Sequence, residues 1–459
     1  MDNVIDYINV NRDRYLEELK TLLAIPSISA LRAHAGDVKR CADWCADEMR
    51  RVGLQSVRLI ETPGYPVVYG EWLGAPGAPT VLFYGHYDVQ PVDPLELWES
   101  PPFEATVRDG EIYARGSADD KGQVFMHFKA VEAHLKQNGR LPVNIRFILE
   151  GEEEVGSVNL DDFVRGHKDE LKADVVVISD SPMFARGIPS ICYGLRGLVY
   201  FQIDVRGSGT DLHSGSFGGA VANPAFVLAQ MIAQMKDRSG RIRIGGFYDD
   251  VLPLKDEERQ AWAALPFNEK QYRNDFGIPK LFGETGYTTL ERTWARPTLE
   301  VNGLLSGFTG DGAKTVLPAV AMAKISMRLV PNQDPGTIAA LFEAYVRKLA
   351  PKTVQLKVTR MHGGKPWMTS YDHPFVQAAA RAIEQGFGKR PVFTREGGSI
   401  PVVSTFQEEL GLPSVLFGVG LPDENAHAPN EKLDVSNFHG GIISSAILYQ
   451  EIASVGVRT

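Results

Sequence analysis

The chain has 459 residues, of which 44% are hydrophobic and 23% charged, and a net charge of −9. That length calls for two or three domains, and the ordinary composition excludes a disordered or fibrous protein. An acidic balance with no Lys/Arg-rich run leaves no electrostatic footprint for nucleic acid or anionic lipid, so a small-molecule or peptide partner is expected.

The N-terminal stretch MDNVIDYINVNRDRYLEELKTLLAIPSIS carries charges throughout, which predicts an amphipathic helix and no signal peptide. Nowhere do eighteen apolar residues run together, so no membrane span is predicted. The three cysteines, Cys41, Cys45 and Cys192, are few and odd in number, which points to a reducing, cytoplasmic setting. Cys41 and Cys45 lie four apart on a predicted helix and read as small buried side chains.

Four apolar runs are continuous: TVLFYG (80–85), VNIRFIL (143–149), DVVVIS (174–179) and SVLFGVG (414–420). Strands buried on both faces look like this, and helical patterns at Gln123–Lys136 and Asp161–Leu171 lie between them. The pattern predicts a doubly wound, mostly parallel α/β catalytic domain. In LVYFQIDVRG, by contrast, Val199, Phe201, Ile203 and Val205 alternate with polar or amphipathic residues, as they do in AKISMRLVP and VQLKVTR. Alternation means a sheet with one wet face, here covered by helices at Pro224–Lys236 and Thr337–Ala350. An α+β, ferredoxin-like domain over 195–362 is thus expected inside a discontinuous catalytic domain, 1–194 with 363–459. Residues 238–300 show no clear period.

Ligands of open α/β sheets bind beyond the carboxyl ends of the strands. There each apolar run meets a metal-type side chain: His86 and Asp88 after the first, Glu153 and Glu154 after the second, Asp180 after the third, and His427 several residues after the fourth. Asp119 and Asp120 lie in ARGSADDKG, just before a helix. Mixed imidazole and carboxylate donors favour zinc, cobalt or manganese. More candidate ligands than one catalytic zinc needs argue for two ions sharing a carboxylate.

Eight motifs occur in order: GHYDVQP (85–91), RGSADDKG (115–122), EGEEEVGS (150–157), ISDSP (178–182), LHSGSFGG (212–219), MRLVP (327–331), REGGSIP (395–401) and AHAPNEKL (426–433). Together they resemble the di-zinc metallopeptidase superfamily of aminoacylase, carboxypeptidase G and carnosine dipeptidase, and most closely its carnosine-dipeptidase-like branch. The resemblance spans nearly the whole chain. It implies two divalent ions per subunit, zinc first and manganese or cobalt as alternatives. Asp119 would bridge them, with His86 and Asp180 on one and Glu154 and His427 on the other. Glu153 would be the general base for a metal-bridging water, Asp88 the carboxylate that orients His86, and His213 the stabiliser of the oxyanion. Arg328, and Ser399 with the Gly397–Gly398 backbone, would hold a substrate carboxylate, and Thr315 a further substrate contact. The resemblance also implies a homodimer formed through the inserted domain, each protomer lending His213 and Thr315 to its partner.

The expected activity is hydrolysis of dipeptides or short peptides. Asp180 favours a free substrate amine by family analogy. Hydrolysis of N-acyl or N-carbamoyl amino acids is the alternative, and a metal-bearing scaffold that binds peptides without cleaving them a third reading. Of the remaining carboxylates, Glu150 is either a support or a strand-end group, Glu152 is expected to be solvated, and Asp120 to cap the following helix or support Asp119.

Overall fold

The computed structural model describes residues 1–398 and 400–456. In chain order its principal strands are β1 (Gln55–Ile60), β2 (Val67–Trp72), β3 (Thr80–His86), β4 (Asn144–Glu150), β5 (Val175–Ile178), β6 (Ser190–Leu195), β7 (Gly197–Arg206), β8 (Thr298–Ser306), β9 (Val320–Leu329), β10 (Gln355–Gly364) and β11 (Ser414–Leu416). The chain divides into two compact units. The first comprises residues 1–193, 369–394 and 405–459, and the second 194–368 and 395–404. The segment Arg395–Ser404, which the sequence boundaries leave in the catalytic domain, thus goes with the inserted unit. Among the bonds that tie it there, Arg395 pairs with Glu258, and the Arg196 amide donates to Gly398 O at 3.1 Å.

In the first unit the strands run in the order β1-β2-β4-β3-β5-β11-β6. β4, β3, β5 and β11 are parallel neighbours, and antiparallel pairs flank them. The four apolar runs form these parallel strands because both their faces are covered. Val81, Ile145, Val175 and Val177, for example, are fully buried, each such side chain contributing roughly 1.5–3 kcal/mol. Register sets where the strands finish. His86 stands opposite Glu150, Tyr84 opposite Ile178, and Ile178 opposite Leu416, so the carboxyl ends of four strands finish close to one level. Gly85 permits the approach of the next helix, Lys121–Asn138. A Cβ there would come within 2.3 Å of Val124 and 2.7 Å of the Asp120 carboxylate.

Two expectations change in detail. The single N-terminal helix is two, Asp2–Val10 and Arg12–Leu23, broken at Asn11, whose side chain bonds back to Tyr7 O at 2.7 Å. The helix expected over Asp161–Leu171 ends at Gly166, because the His167 ring nitrogen bonds to Phe163 O at 2.8 Å and turns the chain out. All three cysteines are buried and none is in a disulfide. Among the described residues no helix is long and apolar enough to cross a membrane.

The second unit is a four-stranded antiparallel sheet, β8-β9-β7-β10. Val199, Phe201, Ile203 and Val205 all point to its buried face, as the alternation requires. Leu228 and Met231 from the helix Pro224–Ala233 and Ile338, Phe342 and Val346 from the helix Pro335–Leu349 close over them. Both helices start on the same chemistry. Asn223 and Asp334 accept backbone N–H groups of the first turn, and a proline occupies the first helical position. Residues 238–297 form short helices joined by loops, among them Asp256–Ala263 and Thr289–Ala295, too short to print a period on the sequence, and 298–300 open β8.

Candidate active site

Because the parallel strands end together, His86, Asp119, Glu153, Glu154, Asp180 and His427 meet in the first unit. Asp119 lies at their centre. Its Oδ1 is 3.0 Å from His86 Nε2, and its Oδ2 is 2.9 Å from His427 Nε2. His427 Nε2 is also 3.2 Å from Glu154 Oε2. Donor atoms of His86, Asp119 and Asp180 lie within 4.8 Å of one another, and so do those of Asp119, Glu154 and His427. Two triads sharing one carboxylate are the donor set that a pair of divalent ions needs, and two imidazoles with three carboxylates suit borderline cations such as zinc.

The electrostatics agree with that fit. Burial alone would raise the Asp119 pKa, yet the hydrogen bonds from His427 and His86 hold it well below the usual carboxylate range. The bonds to Asp119 and Glu154 push His427 up to about 10. Burial opposes charge on His86, but its bonds to Asp119 and Asp88 raise its pKa well above the ordinary value. Without dications, then, the imidazoles answer the carboxylates by keeping protons. His86 answers Glu153 only in part. Burial, with Glu154, Asp119 and Asp88 nearby, pushes the Glu153 pKa up to about 8. A carboxyl poised near neutrality between ligands is suited to move a proton.

Several side chains hold this arrangement. The Asp88 backbone carbonyl lies 3.1 Å from His86 Nδ1 and its carboxylate 3.4 Å away. The same carboxylate accepts the backbone N–H groups of Glu153 and Glu154 at 3.3 and 3.1 Å. One residue therefore fixes both the imidazole and the turn that bears Glu153. Gln90 donates to Glu154 Oε2 at 2.8 Å. His427 adopts φ 62°, the left-handed region, at a cost of order 1–3 kcal/mol that surrounding structure must offset.

The acidic neighbours divide by contact. Glu150 accepts from Tyr84 and Ser157 at 2.6 and 2.8 Å, and burial pushes its pKa up to about 7. Glu152 is not solvated as expected. It is buried, and both its oxygens accept from Asn159, at 3.1 and 2.8 Å. Asp120 occupies the N-cap position, but its carboxylate takes the His86 backbone N–H at 3.3 Å instead of capping the helix. Sequence reasoning passed over Glu431 altogether. Fully buried, it accepts from Arg115 and from the amides of Gly116, Ala118 and Asp119. Its place in AHAPNEKL, four residues after His427, was the available signal.

The other candidates lie in the second unit. His213 is exposed, with Nδ1 accepting the Gly215 amide at 3.1 Å. Thr315 lies beside it, since Ser214 N donates to Thr315 O at 3.0 Å and His213 pairs with Val316. Arg328 is half-buried on β9, and Gly398 accepts from the Arg196 amide. Ser399 falls outside the described residues.

Comparison with known proteins gives the same direction. The chain is 35% identical over 470 residues to the Cys-Gly metallodipeptidase dug1 of Schizosaccharomyces pombe, covering 99% of each chain. It is 33% identical to the human Beta-Ala-His dipeptidase, over 99% of this chain and 93% of that one. The solved structure of Sso-CP2, an M20 family metallo-carboxypeptidase from Sulfolobus solfataricus, superposes with a TM-score of 0.85 at 33% identity, over 96% of this chain and 99% of that one. With its residues 82–448 matching the model of peptidase family M20/M25/M40, the chain belongs to that family.

Proposed function

We propose that the chain is a di-metal dipeptidase that hydrolyses the peptide bond of unblocked dipeptides and short peptides. The carrying observation is the pair of donor triads that share Asp119, with Glu153 near enough to feel the charges of His86, Glu154 and Asp119. Two bound dications, zinc by donor chemistry, would polarise the scissile carbonyl and acidify the attacking water. Glu153 accepts that water's proton and passes it to the departing amine, so the chain of transfer begins and ends on one carboxylate. Asp88 keeps Glu153 and His86 in register throughout. His213 donates to the developing oxyanion, and Arg328, with the Gly398 backbone and Ser399, binds the substrate's α-carboxylate. Thr315 adds a further substrate contact.

The relatives named for Cys-Gly and Beta-Ala-His dipeptides support this substrate class. The archaeal carboxypeptidase supports a second reading, removal of a C-terminal residue from longer peptides by the same machinery. A homodimer through the second unit is supported by its edge strand β8, where Val301, Leu304 and Leu305 are 40%, 61% and 58% exposed. Three buried cysteines, none in a disulfide, support a reducing, cytoplasmic setting.

The test is turnover of a panel by the zinc-, manganese- and cobalt-loaded protein. It comprises unblocked dipeptides, the same peptides extended by one and two residues, and N-acetyl and N-carbamoyl amino acids. Dipeptides should be cut fastest. Faster cleavage of the extended series would favour the carboxypeptidase reading, and faster cleavage of blocked amino acids would refute both.

A further inference from the structure

At the pole of the first unit away from the metal-type residues lies a cavity of about 660 Å³, a size suited to a small molecule. Its wall comes from segments that precede two parallel strands, 74–78 ahead of β3 and 140–142 ahead of β4. His134 and Asn138 of the helix Lys121–Asn138 and Gln450 of the helix Val435–Val455 complete it. The wall is firmly held. Asn144 Oδ1 accepts the Ala75 amide at 3.1 Å, and its Nδ2 donates to Ala75 O and Ala78 O at 3.0 and 3.1 Å. Asn138 Oδ1 accepts from Asn3 at 2.9 Å.

One side chain of this wall is incompletely satisfied. His134 is 1% exposed, and its Nε2 lies 2.9 Å from Ala446 O. A carbonyl can only accept, so the proton is on Nε2 and Nδ1 carries a lone pair. Burial holds the His134 pKa below its ordinary value, which keeps the ring neutral. Nδ1 is thus a buried acceptor, and among the described residues no group donates to it. Native interiors rarely leave such an atom unpaired, and the ring that bears it lines the cavity.

Arg140 adds the complementary chemistry. No Asp or Glu lines the cavity, and among the described residues the Arg140 guanidinium makes no ion pair, so its charge suits a carboxylate from outside the chain. The donor that His134 lacks is favoured as a cation. His134 and Asn138 stand at the C-terminal end of their helix, where the final carbonyls carry partial negative charge. We propose that the cavity binds a free α-amino acid, its carboxylate on Arg140 and its ammonium group donating to His134 Nδ1. Asn138 and Gln450 offer amides beside it. The site stands apart from the metal ligands, and the inference does not depend on the peptide-hydrolysis reading.

The experiment follows the imidazole nitrogen NMR signals of the histidine-labelled, zinc-loaded protein, with those of His134 assigned by their loss in His134→Gln. L-alanine, L-lactate and propionate share a carbon skeleton and differ in the donor, which is an ammonium group, a hydroxyl or neither. L-alanine should move the Nδ1 signal as its lone pair accepts a hydrogen bond, and propionate should leave it in place. Titration of that signal should give an alanine Kd about tenfold weaker in Arg140→Gln and largely kept in Arg140→Lys, with thermal melts showing that both variants fold. Amino acid bound at the metal centre is told apart because it does not move His134. An unmoved Nδ1 signal with alanine, an equal movement with propionate, or an alanine affinity unchanged in R140Q would overturn the proposal. Tighter binding of lactate than of alanine would give the cavity to hydroxy acids and refute the amino-acid assignment.

Discussion

Glu431 Oε1 accepts the backbone N–H of Asp119 at 3.1 Å, so the residue at the centre of both donor triads is held by a carboxylate that takes no part in either. The same oxygen takes the Ala118 amide at 2.9 Å, while Oε2 takes the Gly116 amide at 3.0 Å and Arg115 at 2.7 Å. Four donors converge on one fully buried side chain. Glu431→Gln would set an amide NH2 against two of them and leave the Arg115 charge unmatched. It should cost about 3–5 kcal/mol of stability and weaken metal binding about 10–100-fold. Urea melts and metal titration of the folded protein measure the two losses. A variant with wild-type midpoint and affinity would show that Glu431 holds nothing that matters.

Glu153→Gln separates proton transfer from metal binding. Gln keeps the size of the side chain and cannot take a proton, and Glu153 belongs to neither donor triad. Hydrolysis should fall by roughly 10²–10⁴ or more with metal content unchanged. Elemental analysis beside single-turnover rates checks both halves. Substantial residual turnover would give the base role to another group.

Proton linkage in the metal-free protein has a definite sign. His427, raised to about 10 chiefly by its bond to Asp119, and His86, raised by Asp119 and Asp88 against the effect of burial, stabilise the fold while protonated. Their unfolded value is about 6.5, so this contribution is complete below that pH and is lost as pH rises through the folded values. Glu153, near 8 through burial and its acidic neighbours, acts in the same direction above about 4.3. The metal-free melting temperature should therefore fall as pH rises from about 6 to about 10. Metal must displace these protons, so its binding should tighten with pH and release protons at about pH 7. Calorimetry in buffers of different ionisation enthalpy counts them, and zero release would contradict the coupling.

The parts of this architecture legible in the sequence are those that repeat a local rule. Val199, Phe201, Ile203 and Val205 alternate because one face of β7 is buried, and the apolar run Val81–Tyr84 is continuous because both faces of β3 are. The metal-type residues could be read because parallel strands end at one level and each end carries one. What escaped depends on contacts distant in sequence. Glu431 meets Arg115 across 316 positions, and a buried acid with such a partner carries no local mark. Glu152 looked solvated beside its neighbours, yet Asn159 binds it from a loop seven residues on. A cavity of the second unit draws its wall from Arg196 between β6 and β7, from β8 and β9 and from the irregular segment before β8, and no window of sequence contains them all.

Lys129 identifies a second acidic cluster as structural. Donor atoms of Glu18, Glu48 and Glu132 also lie within 4.8 Å of one another. Fully buried Lys129 Nζ, however, is 2.5 Å from both Glu18 and Glu48, and Arg14 and Arg51 pair with Glu132. Cations of the chain itself already neutralise the carboxylates. Lys129→Met should cost about 3–5 kcal/mol, since it strands buried charge, and should leave the number of bound metals at the wild-type value. Denaturation and elemental analysis test this. A variant that gains a metal without losing stability would make the cluster a suppressed metal site.

The proposal that protomers exchange His213 and Thr315 has a test that a structural role cannot imitate. Both residues sit together, His213 on the short pair Leu212–His213 and Val316–Leu317 and Thr315 just before its second strand, exposed in their own unit. Glu153→Gln and His213→Ala homodimers should each be nearly inactive, the first lacking the base and the second the oxyanion donor. In a mixed dimer, one site combines both defects. The other pairs an intact Glu153 with an intact His213 from the partner. Random mixing makes half the dimers mixed, each with one working site of two, so activity should recover to about a quarter of wild type. Recovery should follow the rate of subunit exchange and vanish when the protomers are cross-linked before mixing. If His213 served its own protomer, a mixed dimer would hold one site without base and one without donor, and mixing would restore nothing.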